Sequence, residues 1–386
     1  MKRIYLDNAA STPVDPQVLE AMTQTLTMCY GNASSLHADG TRAKELLENA
    51  RSSLSCILNC HPEELYFTSG GTESNNWALK GYSLANRTKG NHIIISSIEH
   101  DCVLNSCSWL QSQGFQVTLL PVGESGIVDP ETVKKAITSG TILVSVMHVN
   151  NELGTIQPIR EISLITREKN IVFHTDACQS FGKIGLDAAT LEADMISINA
   201  HKIYGQKGTG ALFIRKGIHI EPLLHGGGQE RGLRSTTENI PGITGFVRAA
   251  ELCYEHHKAA KSQLEMLSGK LISKLSADFQ HIYYNGSLEQ RIAGIVNFAF
   301  SGQEGEAIRL LLMLDEEGIS VSTGSACSSN HLNSGGSHVL RAIGRDPVEA
   351  RGSIRVSLGR FNTEEDIDIF CDALRRILQK LNSNYS

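Results

Sequence analysis

The chain has 386 residues, 41% hydrophobic and 20% charged, with a formal net charge of −6. This is a folding composition with room for a sizeable core and two domains, and without a basic block it offers no nucleic-acid surface. No apolar run approaches the roughly 18–20 residues of a membrane span, and the strand-like start Met1–Asp7 leaves no room for a signal peptide, so a cytoplasmic protein is expected.

In chain order, a short strand at Tyr5-Leu6-Asp7 runs into a polar turn, and Pro16 opens a helix. A loop at 31–35 precedes a second helix over about 41–58. The strand Glu64–Thr68 delivers the pair Gly70-Gly71. Apolar strands then recur at 92–95, 116–120, 142–147, 171–173, 195–198 and 211–214, with helical stretches at 102–113, 130–138 and 160–169 between them. Short strands alternating with helices predict a mainly parallel, covered sheet, so the fold class is α/β. After Pro241 the pattern changes to long helices at 242–258 and 259–277, then strands at 294–300, 319–322 and 353–358 around a helix at 304–315. A last helix carries Ile367, Phe370, Leu374, Ile377 and Leu381 at helical spacing. We expect a large α/β domain over 14–257 and a smaller α+β domain from 1–13 and 258–386.

The nine cysteines read as buried thiols, not a disulfide framework. Cys56, Cys60 and His61 lack a second ligand pair at zinc-site spacing, so no metal is expected.

Lys202 sits in Asn199-Ala200-His201-Lys202, directly after an apolar strand. Most loop lysines are solvated charges. The sharper reading is an amine that forms a Schiff base with a carbonyl cofactor, pyridoxal phosphate being the usual one. The other parts such a cofactor requires are present. Asp176 lies at the carboxyl end of the strand around Phe173, where ligands sit in open α/β sheets, and a carboxylate there can keep a pyridine nitrogen protonated. Gly70-Gly71-Thr72 leads into a helix and offers backbone N–H groups to a phosphate; alone it reads equally as a tight turn. His100 ends another strand, where an imidazole can stack on a ring or simply cap the next helix. Asn150-Asn151 suits a carboxylate or a phenolic oxygen, or is turn chemistry. Gln179 can donate to a ring hydroxyl or be an ordinary helix residue. The glycine-rich loop 225–239 suits a second phosphate contact or a subunit contact. Cys327, among small residues in 322–329, reads as an accessible thiol on an arm, against inert packing as the ordinary fate of a cysteine. Arg355 in an apolar strand needs an anionic partner, and a substrate carboxylate would serve.

With these motifs in order, namely Ser69-x-x-Thr72-Glu73-Ser74-Asn75-Asn76, Glu99-His100, Asn150-Asn151-Glu152, His174-Thr175-Asp176-Ala177-x-Gln179, Ala200-His201-Lys202-x-Tyr204-Gly205 and Ser325-Ala326-Cys327, the chain resembles the NifS/IscS-like cysteine desulfurases. These belong to the class V aminotransferase group and have the aspartate-aminotransferase fold. The resemblance runs from Tyr5 to Phe361. It implies that Lys202 holds pyridoxal phosphate, Asp176 pairs with its ring nitrogen, Gln179 reaches the ring hydroxyl and His100 stacks on the ring. It further implies a phosphate site at Gly71, Thr72 and His201, with Asn199 where a serine is common and Thr237 contributed by the partner of a homodimer. Thr236 replaces the usual glycine beside it. Asn151 and Arg355 would grip the carboxylate of L-cysteine. Cys327 would attack its sulfur, release L-alanine and pass a persulfide to an acceptor such as an iron–sulfur scaffold or a sulfur carrier, for cluster assembly or thiolation of tRNA. A selenocysteine lyase or an aminotransferase of the same group is the alternative. A nicotinamide enzyme is not, since no strand is followed by Gly-x-Gly-x-x-Gly.

Overall fold

The computed structural model describes residues 3–323 and 336–383; Cys327 and most of the run 322–329 lie outside the described residues. The first strand, β1 (Ile4–Tyr5), is followed by helix Pro16–Met28, which Asp15 caps by accepting from the Gln17 N–H at 2.8 Å. Helix Ala38–Leu58 begins at a His37 cap and stops at Asn59, whose φ of 52° is left-handed.

Seven strands then form one sheet: β2 (Leu65–Thr68), β3 (His92–Ser96), β4 (Gln116–Leu120), β5 (Thr141–Ser145), β6 (Val172–Asp176), β7 (Met195–Asn199) and β8 (Gly210–Ile214). Their order is β2-β8-β7-β6-β5-β3-β4, and β8 alone runs against its neighbours. β3, β5, β7 and β8 are buried along their whole length, which is why they read as continuous apolar runs. Alternation sorts their side chains by face. Ile94, Val144, Phe173 and Ile196 pack toward helices Ala38–Leu58 and Ile240–Glu255, while Ile93, Ile95, Leu143 and Met195 pack with Trp77, Val103 and Leu110.

A second core gathers the C-terminal third. β9 (Ile282–Tyr284), β10 (Ile295–Phe300) and β12 (Ile354–Ser357) form an antiparallel sheet, and β11 (Ile319–Ser320) pairs with β1 in parallel. Ile4 and Leu6 pack there with Phe298, Val356, Leu271 and Phe370. Asp7 bridges to Ser357, so the first residues are tied to the last strand across nearly the full length of the chain.

Three local differences from the sequence reading have physical causes. β9 carries no apolar run of its own and forms by pairing with β10. The long helices break at His256, which ends Ile240–Glu255 and precedes His257–Asp278, two residues before the expected position. The helix expected from residue 304 starts as a short 3₁₀ turn, Glu304–Glu306, before Ala307–Glu316.

Candidate active site

The carboxyl ends of β3, β5, β6 and β7 open on one cavity of about 560 Å³. Of the residues singled out from the sequence, Gly71, Thr72, His100, Asn151, Asp176, Asn199, His201, Lys202 and Arg355 line it. Gln179 and Thr237 do not, and Cys327 lies outside the described residues.

Lys202 stands on a tight turn after β7. Thr12 holds that turn: its N–H and its hydroxyl both donate to the His201 carbonyl, at 2.8 and 2.9 Å, and the hydroxyl accepts from the Tyr204 N–H at 2.7 Å. The N-terminal dozen residues thus fix the lysine's backbone from the far end of the chain. Burial first, then the Lys202 charge, pushes the neighbouring His201 down to about 4, so its imidazole is neutral.

Asp176 is the last residue of β6, beside Ser197 of β7. Its Oδ2 accepts from the Asn75 amide at 2.6 Å and its Oδ1 from the Cys178 N–H at 2.9 Å. Burial pushes the carboxyl up, but the Cys178 N–H and the charges of Lys202 and His100 outweigh it and hold Asp176 below the usual carboxylate range. A buried carboxylate kept ionised this way is a fixed negative charge at the base of the cavity.

His100 caps helix Asp101–Ser112, its Nδ1 accepting from the Cys102 N–H at 3.2 Å, as the capping reading expects, and it also lines the cavity. The Cys102 Sγ lies 3.1 Å from the same nitrogen and accepts from Asn75 at 3.2 Å. Burial, then the Lys202 charge, lowers the His100 pKa.

At the opposite wall, Gly71 opens helix Gly71–Asn76. A Cβ there would meet the Cys178 Sγ at 2.5 Å, so the turn approaches the β6 end closer than any other residue type allows. Glu73 accepts from the Ser69 N–H at 2.7 Å and receives a two-pronged contact from Arg234 at 2.6 and 2.9 Å, which ties this turn to the loop 225–239. The buried Asn199 Oδ1 has no partner among the described residues.

Arg355 on β12 donates to the Asn151 carbonyl at 2.9 Å and to Asp7 Oδ1 at 2.8 Å, while its buried Nε has no partner among the described residues. The anionic partner that its strand position demands is therefore already present as Asp7. Of the two adjacent amides, Asn150 is turn chemistry: it donates to the Ile98 carbonyl and accepts from the Glu152 and Leu153 N–H groups. Only Asn151 reaches the cavity. The Gln179 amide is taken up by the Ala9 carbonyl, at 3.0 Å, and by Lys183, which donates to its Oε1. Thr237 is exposed in a smaller neighbouring pocket that shares Ser69 and Gly208 with the cavity.

Sequence reasoning missed the supporting groups. Asn75 holds Asp176, and its position four residues after Gly71, one helical turn, was the available signal. Glu152, pushed by burial up to about 7, accepts from Ser337 at 2.6 Å, and Ser337 follows the undescribed segment. No sequence pattern announces that contact, because the two residues are brought together only by the fold.

The chain matches the Aminotransferase class-V family over residues 4–370. It is 48% identical over 382 residues to the cysteine desulfurase IscS of Methanosarcina thermophila, covering 99% of this chain and 93% of that protein. A solved NifS-like protein superposes with a TM-score of 0.91 at 40% identity, covering 98% of this chain and 99% of the other. A structure described as SspA in complex with cysteine gives a TM-score of 0.82 at 38% identity, covering 93% of this chain and 100% of the other. The chain belongs to the class-V aminotransferase family, among its NifS/IscS-like cysteine desulfurases.

Proposed function

We propose that this cysteine desulfurase uses pyridoxal phosphate to take sulfur from L-cysteine, leaving L-alanine and a persulfide on Cys327. The observation that carries the reading is the pairing of Lys202 with an ionised Asp176 at the ends of adjacent strands, facing one cavity. The donor set fits the cofactor: an amine for its aldehyde, a buried carboxylate for its ring nitrogen, and a glycine-opened turn at Gly71-Thr72 with His201 and Asn199 for its phosphate. When bound, the cofactor supplies a cationic ring that takes up the electrons of the substrate Cα–H bond.

The chain's own residues do the rest. Lys202 Nζ takes the Cα proton and later gives a proton back to Cα. Asp176 keeps its charge against the ring nitrogen, and His100 packs over the site. Asn151 and Arg355 bind the substrate carboxylate, with Arg355 held in place by Asp7. The Cys327 thiolate bonds to the substrate sulfur as the Cβ–S bond breaks, and a proton is delivered to Cβ. Thiol plus cysteine becomes persulfide plus alanine, so atoms and electrons balance.

In this reading the working unit is a homodimer, to which Thr237 of one copy and the cavity of the other contribute. The exposure of Leu26, Met28, Tyr30 and Leu36 supports an apolar face that a second copy would cover. We keep the division into 14–257 and 1–13 with 258–386; the packing of Ile4 and Leu6 with Leu271, Phe298 and Phe370 supports it. The persulfide passes to an acceptor protein, an iron–sulfur scaffold or a sulfur carrier, in the cytoplasm; no helix among the described residues is long and apolar enough to cross a membrane. Lyase or aminotransferase activity of the same group is not favoured, since the relatives are named cysteine desulfurases.

Borohydride reduction of the loaded protein followed by peptide mapping should place the trapped adduct on Lys202. Mass spectrometry after incubation with cysteine should find one added sulfur on Cys327. An unmodified Cys327, with sulfide release unchanged in Cys327→Ala, sinks the persulfide step.

A further inference from the structure

Behind Lys202 lies a second, smaller cavity of about 50 Å³, between the Lys202 turn and the long helices that follow β8. Lys202 and Lys183 both line it, and no Asp or Glu does. Among the described residues no carboxylate lies within ion-pair distance of Lys183, whose recorded hydrogen bond goes to the neutral amide oxygen of Gln179. The other titratable or charged groups on the wall are Tyr204, Cys253, His256, His257, Lys261 and Arg360. Burial, and then the Lys202 charge, pushes the Lys183 amine down to about 7, where it can give or take a proton at physiological pH.

The cavity has an outlet. Gly182, Cys253 and His257 line both it and an open groove on the outer surface. The buried His257 Nε2 has no hydrogen-bond partner among the described residues, and a volume of this size admits a water that would satisfy it. The preceding His256 is exposed.

We propose that Lys183 relays protons between Lys202 and solvent through this cavity. The inference rests on Lys202 being the base of the proposed reaction. Lys202 leaves proton abstraction as an ammonium, and its proton passes to the neutral Lys183 amine, directly or over one water, and onward past His257. The reverse transfer restores a proton to Lys202. Gln179 orients the Lys183 amine by accepting its hydrogen bond.

The test is the fate of the Cα label when the loaded enzyme turns over α-deuterated L-cysteine in ordinary water, with the alanine read by mass spectrometry. If Lys183 is the relay, wild type loses most of the label to solvent. Lys183→Met then returns several-fold more of it to alanine, and Lys183→Arg, which keeps the charge but cannot give up a proton, does the same. Equal retention in all three proteins overturns the proposal, as does full retention in wild type. Lys183→Arg behaving like wild type also overturns it, since charge and packing then suffice. Should Lys183→Met fail to fold, the Arg variant alone decides. Failure of wild type to make any alanine counts against the proposed function instead, so the two are separable.

Discussion

The side-chain amide of Asn75 donates to Asp176 Oδ2 at 2.6 Å, from a helix that starts on the far side of the cavity. The wall that opens at Gly71 and the buried charge at its base are therefore one hydrogen-bonded unit. The same amide reaches Cys102, beside His100.

Asn75→Ala should weaken that unit without moving the fold. A hydrogen bond to a charged group contributes about 1.5–3 kcal/mol, so turnover of cysteine should fall roughly 10- to 100-fold. Asp176 should also bind a proton more readily, moving the visible absorption of the loaded protein toward that of Asp176→Asn. Spectra and initial rates across pH measure both effects.

Gly71→Ala puts a methyl group against the Cys178 sulfur, with the new Cβ only 2.5 Å from it. Pyridoxal phosphate affinity, read by equilibrium dialysis or fluorescence, should drop at least tenfold while the thermal midpoint changes little. Adding Cys178→Ala should recover most of the loss, because it removes the atom in the way.

Arg51 and Glu230 form a buried ion pair at 2.7 Å, and Glu230 also accepts from the Phe67 N–H at 2.8 Å. Glu230 and Arg231 both adopt left-handed φ, 46° and 57°, so this pair holds a strained part of the 225–239 loop. Arg51→Ala leaves an uncompensated buried carboxylate and should cost about 3–5 kcal/mol. Arg51→Met with Glu230→Gln should cost less than Arg51→Ala alone. Urea unfolding of the three proteins decides.

Glu99 is fully buried, accepts from Ser96 and from the Met147 N–H, and is pushed by burial up to about 8. Folded protein thus holds a proton that the unfolded chain, titrating near 4.5, releases. That contribution to stability is complete below about pH 4.5 and is lost as pH rises through about 8. The stability of wild type relative to Glu99→Gln should therefore fall steadily from pH 5 to 8. Unfolding free energies at several pH values in that window test it; a constant difference would show that Glu99 is ionised throughout.

Much of the scaffold was legible because its strands are buried on both faces and its helices are amphipathic. β4 over Gln116–Leu120 has the bounds its alternation predicts, and β3, β7 and β8 differ by a residue at most. β9 was not legible, since a three-residue, half-buried strand is defined by its neighbour. Of the residues chosen for chemistry, those directly after strands, such as His100, Asp176 and Lys202, meet in one cavity because parallel strands carry their carboxyl ends to one edge. Gln179 and Thr237 do not reach that cavity in the chain by itself, and neither position could be judged from spacing.

By itself the sequence determined the α/β class and the family, because periodicity and motif order are local properties that survive without coordinates. Tertiary structure alone decided that Asp7 occupies Arg355, that Thr12 holds the Lys202 turn, and that Lys183 shares a cavity with Lys202. Each of these joins residues far apart in the chain, and the resulting desolvation and charge pairing exist only once the chain has closed on itself.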